Sequence, residues 1–212
     1  NDLYVLFFDG GSRGNPGPGG SGSVIIRLNV PTHAAQVVWV ASMAYGSPKT
    51  TNNTAEYKGL VHGLRQAKAS GYAPLHVVGD SAIVLSQLRM HRSPKKPRLA
   101  TLYREARTLA DDTAMINWAH HYRQFNKMAD CVPNIAMDSS TSVQVHVPTH
   151  RDFVRIIEGR MDQDVNHWLA TSLAAETAER AGPKMNARER TIAARQLGRR
   201  CAAVSSVVSA NP

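Results

Sequence analysis

Cysteine is nearly absent: Cys131 and Cys201 are the only two in a chain of 212 residues. That excludes a disulfide scaffold and a Cys-rich zinc site. No stretch approaches 18 consecutive apolar residues, so no membrane span is expected. No basic segment followed by an apolar stretch and a cleavage site opens the chain, so no signal peptide is expected, and an intracellular location in cytoplasm or nucleus is expected. The chain begins with Asn1 rather than Met, as a processed, trimmed or excised product would. Acidic residues are in deficit, 16 against 25 Lys and Arg, giving a formal charge of +9. This points to a polyanionic partner without bearing on fold. Both parts of the chain share the excess: residues 1–138 carry 15 basic and 9 acidic side chains, and residues 139–212 carry 10 and 7. The 42% apolar content is that of a globular protein.

The hydrophobic pattern changes period along the chain. Leu3 to Phe8 (LYVLFF) is too short for a stable helix and too apolar for an edge, so it reads as a central strand. Gly10 to Gly22 reads as a loop. Val24 to Ile26 and Ala34 to Ala44 read as two further strands, in an antiparallel meander with the first. From Asn52 to Ser70 the spacing predicts a helix with one buried stripe, stopped by Gly71. Pro74 to Gly79 follows as a strand parallel to the first. Helices over Ser81–Met90 and Leu99–Ala110, a strand over Ala114–His121 and a helix over Lys127–Met137 complete a βββαβααβα order. A mixed sheet with helices on both faces accounts for it. Val143 to Val147 alternates weakly after a polar break. Arg151 to Arg180 carries helical spacing, and Ala187 to Val204 reads as one more basic helix.

Four acids fall at the ends of these elements. Asp9 ends the first strand and Asp80 the fourth; parallel neighbours would set them side by side at the carboxyl edge of the sheet, where α/β sheets place their chemistry. Glu56 lies one turn into the first helix, on the face of Leu60 and Leu64, aimed at the sheet. Asp130 opens a later helix. Carboxylates gathered in this way need a counter-ion or must protonate. Hard divalent ions, Mg2+ or Mn2+, suit oxygen ligands. A metal pair can activate water and steady the leaving oxygen of a phosphodiester. The bland readings remain open at this point: a turn residue for Asp9, a helix cap for Asp80, a solvated acid for Glu56 or Asp130.

Four segments in order resemble one family: FFDGGSRGNPGPGGSG, TNNTAEYKGLVHGL, LHVVGDSAIVLSQL, and RQFNKMAD running into VPNIAMD. Together they are similar to ribonuclease H of the type I class, in its short and reverse-transcriptase-associated forms, over residues 2–138. The resemblance implies an α/β ribonuclease H-like fold: a five-stranded mixed sheet of order 3-2-1-4-5, flanked by helices. A domain over residues 1–138 would be catalytic, and 139–212 would be a basic extension, helical or partly disordered. The implied activity is endonucleolytic cleavage of the RNA strand of RNA–DNA hybrids by two metal ions, leaving 5′-phosphate and 3′-hydroxyl ends. Asp9, Glu56, Asp80 and Asp130 match the family's metal-site acids. Gly10, Gly11 and Asn15, with Thr51, Asn52 and Asn53, match residues that contact the hybrid. Lys95, Lys96 and Arg123 are candidate phosphate contacts. The resemblance also allows the chain to belong to a larger polyprotein or polymerase.

Departures keep a second reading open, a non-catalytic nucleic-acid-binding or polymerase-supporting module with the same fold. The segment Met90–Leu99 is short and lacks the Trp of longer relatives. No mobile His loop precedes Asp130, and His120 and His121 are read as structural rather than catalytic. Pro133 stands where a helix should position Asp130, and Pro inside a helix removes a hydrogen bond. Arg123 and Asn126 form an R-x-x-N pattern that capping and local ion pairing explain as well as substrate contact does. An enzyme of the same architecture acting on another polynucleotide is a third reading.

Overall fold

The computed structural model describes residues 2–180. Three strands open it, β1 (Asp2–Ser12), β2 (Gly19–Asn29) and β3 (Ala35–Tyr45), paired as an antiparallel meander. Helix α1 (Asn52–Ser70) follows. Thr51 caps its start by accepting from the Thr54 N–H at 3.3 Å, and Gly71 ends it in the left-handed conformation that glycine adopts freely. The chain then enters β4 (Leu75–Gly79), parallel to β1 with Phe8 opposite Gly79. Helices α2 (Ala82–Arg89) and α3 (Pro97–Asp111) lead to β5 (Met115–His120), parallel to β4. A short 3-10 turn (Arg123–Phe125) precedes α4 (Lys127–Ser139).

The apolar runs of β1 and β2 are buried on both faces because helices cover both. Leu6, Phe8, Ile25 and Trp39 pack with Tyr57, Leu60 and Leu64 of α1 and with Tyr103 and Ala106 of α3. By alternation Val5, Phe7, Val24 and Val40 point the other way, toward the buried Met128, Ala129, Val132 and Ala136 of α4. Ser42 follows the same phase, and its hydroxyl donates to the Val132 carbonyl at 3.0 Å.

Three expectations are corrected. The sheet has six strands, not five, in the order β5-β4-β1-β2-β3-β6. The sixth, β6 (Val143–His146), pairs antiparallel with β3, Trp39 opposite His146 and Ser42 opposite Val143. It satisfies a row of backbone groups on β3 that would otherwise form an open edge. Its four residues alternate too briefly to announce a strand; the partner supplies what the local pattern does not. Secondly, the glycine-rich stretch is mostly strand. Asp9 to Ser12 pair with Gly22 to Gly19, and only residues 13–18 leave the sheet. Glycine is there for close approach. A Cβ on Gly22 would lie 2.7 Å from the Ala129 carbonyl oxygen and from Pro133 Cδ, and one on Gly20 2.6 Å from the Pro133 carbonyl oxygen. Lastly, the helical stretch 151–180 is two helices, α5 (Arg151–Glu158) and α6 (Met161–Arg180). Helix α5 packs beside α4 and β3 and buries Val154 and Ile157. The helix expected over Ala187–Val204 lies outside the described residues.

Candidate active site

The parallel pairing of β1 and β4 brings the site together. Phe8 and Gly79 are in register, so Asp9 and Asp80 are the next residues on adjacent strands at the same edge. Glu56 arrives from α1, whose backbone presses directly on β1. A Cβ on Gly10 would lie 2.3 Å from the Glu56 backbone nitrogen, and one on Gly59 2.7 Å from the Asp9 carbonyl oxygen. Ser23 fastens the helix by donating to the Gly59 carbonyl at 2.5 Å. The result is a cluster in which Asp9, Glu56 and Asp80 each offer a carboxylate oxygen within 4.8 Å of the others.

These carboxylates are held out of water. Asp9 and Glu56 are buried and Asp80 half-buried. Burial, and then the Asp80 charge, push the Asp9 carboxyl up to about 7, although the Gly10 N–H donates to it at 2.7 Å. Burial and the neighbouring Asp9 likewise hold Glu56 well above the usual carboxylate range. Burial also raises Asp80, against a lowering backbone N–H and the Arg123 charge, with Asn126 adding to them. Glu56 Oε2 and Asp80 Oδ1 have no hydrogen-bond partner. Unpartnered, buried oxygens on two of three adjacent acids fit a hard divalent cation, which takes oxygen ligands and cancels their repulsion.

Asp130 stands in the first turn of α4 but outside this trio. Its Oδ1 accepts from Arg123 Nε at 2.6 Å, and its Oδ2 lies 3.6 Å from Lys127 Nζ. The ion pair raises the Arg123 guanidinium further. Pro133 falls in the second turn of a helix that nevertheless runs to Ser139, packed against the β2 glycines.

An open cleft of about 440 Å³ adjoins the acids, lined among others by Gly10, Gly11, Arg13, Asn52, Arg123 and Asn134. Asn15 accepts from the Asn52 N–H at 3.0 Å, and Asn52 Oδ1 accepts from the Ser12 N–H at 2.9 Å. The glycine loop and the start of α1 are thereby one hydrogen-bonded unit. Asn53 is half-buried in the first turn of α1. Lys95 and Lys96 are exposed between α2 and α3 and do not line the cleft. His121 is buried, its Nδ1 3.3 Å from the Phe125 carbonyl oxygen; His120 Nε2 sits 3.1 Å from the Asp80 carbonyl oxygen.

Sequence reasoning left Asn126 open between capping, local pairing and substrate contact, and passed over Arg13 and Asn134. Asn126 makes no capping bond. It is fully buried and donates through Nδ2 to the Phe8 carbonyl at 3.0 Å. The only sequence signal for it was the R-x-x-N spacing before Asp130.

Residues 7–136 match a family profile described as reverse transcriptase-like. The chain belongs to this RNase H-like family. Among its relatives is the "Bifunctional protein Rv2228c" of Mycobacterium tuberculosis, 39% identical over 136 residues, which cover 64% of this chain and 36% of that protein. Ribonuclease HI of Halobacterium salinarum is 33% identical over 136 residues, covering 63% of this chain and 64% of the enzyme. The chain therefore spans only 36% of the mycobacterial protein's length. Of solved structures, the N-terminal RNase H domain of the mycobacterial protein superposes with a TM-score of 0.58 at 39% identity, covering 64% of this chain and 99% of that one. LC11-RNase H1, solved in complex with an RNA/DNA hybrid, gives 0.53 at 26% identity, covering 65% and 98%. Among the described residues of this RNase H-like chain, no helix is long and apolar enough to cross a membrane.

Proposed function

We propose that this chain is an endonuclease that hydrolyses the RNA strand of RNA–DNA hybrids, leaving 5′-phosphate and 3′-hydroxyl ends. The observation that carries the reading is the trio of Asp9, Glu56 and Asp80, delivered by three different elements to within 4.8 Å and open to a cleft. Two Mg2+ ions, with Mn2+ as an alternative, would be held by these acids and Asp130. When bound they supply Lewis acidity at the attacking water and the leaving oxygen.

The chain's own residues do the rest. Asn126 ties the end of β1, just before Asp9, to the start of α4, and it lowers the neighbouring Asp80 carboxyl. Gly11 has open space where a Cβ would stand, so backbone, not side chain, meets the substrate there. The Asn15–Asn52–Ser12 network orders the loop before substrate arrives. Asn15, Thr51, Asn52 and Asn53 would then read groove width and 2′-hydroxyls, which is how protein tells RNA from DNA. Arg123 offsets the charge of the acids, and Lys95 and Lys96 serve phosphates further along the duplex.

The test is cleavage of an end-labelled RNA in a hybrid, with Mg2+ and with EDTA, by the wild type and by Asp9→Asn. The Arg123–Asp130 ion pair favours one other reading, a binding module without turnover. Retained hybrid binding with no cleavage across Mg2+ and Mn2+ titrations would select it.

A further inference from the structure

Arg13 projects from the glycine loop at the mouth of the cleft and lines it beside Gly10, Gly11 and Asn52. Its guanidinium is paired with Asp138, 125 residues later, on the penultimate residue of α4. Both side chains are mostly exposed, 58% and 67%. Two physical facts make this pair weak. Exposed ion pairs contribute little because water screens them. An acid in the last turn of a helix also faces the negative end of the helix dipole. Asp138 is thus poorly placed for its own helix, and Arg13 is the cation offsetting it. A phosphate diester is the stronger partner for the same guanidinium, which can meet two oxygens with two parallel N–H groups.

We propose that Arg13 is a substrate-binding residue for nucleic-acid phosphate, and that Asp138 is its competitor, a latch occupying Arg13 until a duplex enters the cleft. The proposal deepens the hybrid-nuclease reading and rests on it for the identity of the duplex. Substrate binding then exchanges one ion pair for another. Asp138 acts against non-productive capture of polyanions at the cleft mouth, and its removal would sharpen affinity at the expense of release.

The experiment is a double-mutant cycle on binding. A fluorescein-labelled RNA–DNA hybrid is titrated with Asp9→Asn protein, which leaves the substrate uncut, and anisotropy is read across a series of NaCl concentrations. Arg13→Ala weakens binding about tenfold and lowers the salt slope by about 1, the signature of one lost phosphate contact. Arg13→Lys retains the slope. Asp138→Asn tightens binding about threefold with Arg13 present and has no effect when Arg13 is Ala. Equal tightening by Asp138→Asn in both backgrounds would overturn the latch, since net charge alone would then explain it. An unchanged affinity and slope for Arg13→Ala would overturn the phosphate contact. Wild-type cleavage assays and a duplex-DNA titration run alongside keep the two levels apart. Absent hybrid cleavage removes the functional reading, while the cycle on whichever duplex binds still decides the role of Arg13.

Discussion

The Asn126 side chain donates to the backbone carbonyl of Phe8 at 3.0 Å and lies close enough to Asp80 to lower that carboxyl. One buried amide thus spans the end of β1, the residue after β4 and the start of α4. Its Oδ1 has no hydrogen-bond partner.

Asn126→Ala should therefore damage the site more than substrate binding. Losing buried hydrogen bonds costs about 1–3 kcal/mol of stability. The kcat for hybrid cleavage should fall by about 10- to 100-fold, as for loss of a group that orients a metal ligand, with KM little changed. A raised KM at normal kcat would assign Asn126 to substrate binding instead. Steady-state kinetics beside a thermal melt separate the two.

Gly10→Ala tests how the trio is spaced. The added Cβ would lie 2.2 Å from the Ala55 carbonyl carbon and 2.3 Å from the Glu56 nitrogen, both backbone atoms that cannot rotate aside. Helix α1 must move off β1, carrying Glu56 from Asp9. We expect a stability loss of about 1–3 kcal/mol and loss of cleavage even at saturating Mg2+. Unchanged activity would mean that the Asp9–Glu56 spacing is not critical.

Without metal, the raised acids make stability depend on pH. Asp9 binds its proton more tightly when folded, with its carboxyl at about 7 against an ordinary 3.8. Its contribution is fully present below the unfolded value and is lost as pH rises through about 7. Thermal melts in EDTA should show Tm falling as pH rises through that range. Asp9→Asn should flatten the fall, and Mg2+ should raise Tm most above pH about 7, where the acids are ionised. A Tm that rises with pH in EDTA would contradict the burial of these acids.

The segment after α4 should matter for stability. Strand β6 covers the edge of β3, and Val145, Val154 and Ile157 are buried. Each such side chain contributes about 1.5–3 kcal/mol before ordering costs. A chain ending at Asp138 should melt at lower temperature and aggregate through the bared β3 edge. An equal Tm for the shortened chain would show that β6 and α5 add nothing.

The sequence was most legible where one local rule sufficed. The apolar run before Asp9 and the stripe of Leu60 and Leu64 below Glu56 predicted both the elements and the direction of the acids. Reading failed where tertiary contact overrides local preference. Gly19 to Gly22 look like a turn, yet are strand because they pair with Asp9 to Ser12, and Gly20 and Gly22 are glycine because α4 lies too close for a Cβ. Val143 to His146 are too few to declare a strand without β3 beside them. Asn126 could be read as a cap, a pairing residue or a substrate contact because its partner, the Phe8 carbonyl, is distant in the chain. Asp130 was correctly seen at the start of a helix, but the spacing of motifs could not show that its carboxylate is paired with Arg123.

The most direct measurement is Mg2+-dependent cleavage of the RNA strand of a hybrid by the wild type beside Asp9→Asn. The account predicts cleavage by the wild type that EDTA abolishes, and none by the variant, with both proteins folded by circular dichroism. Cleavage that survives in the variant or in EDTA would contradict it, as would a folded wild type that leaves the hybrid intact in both Mg2+ and Mn2+.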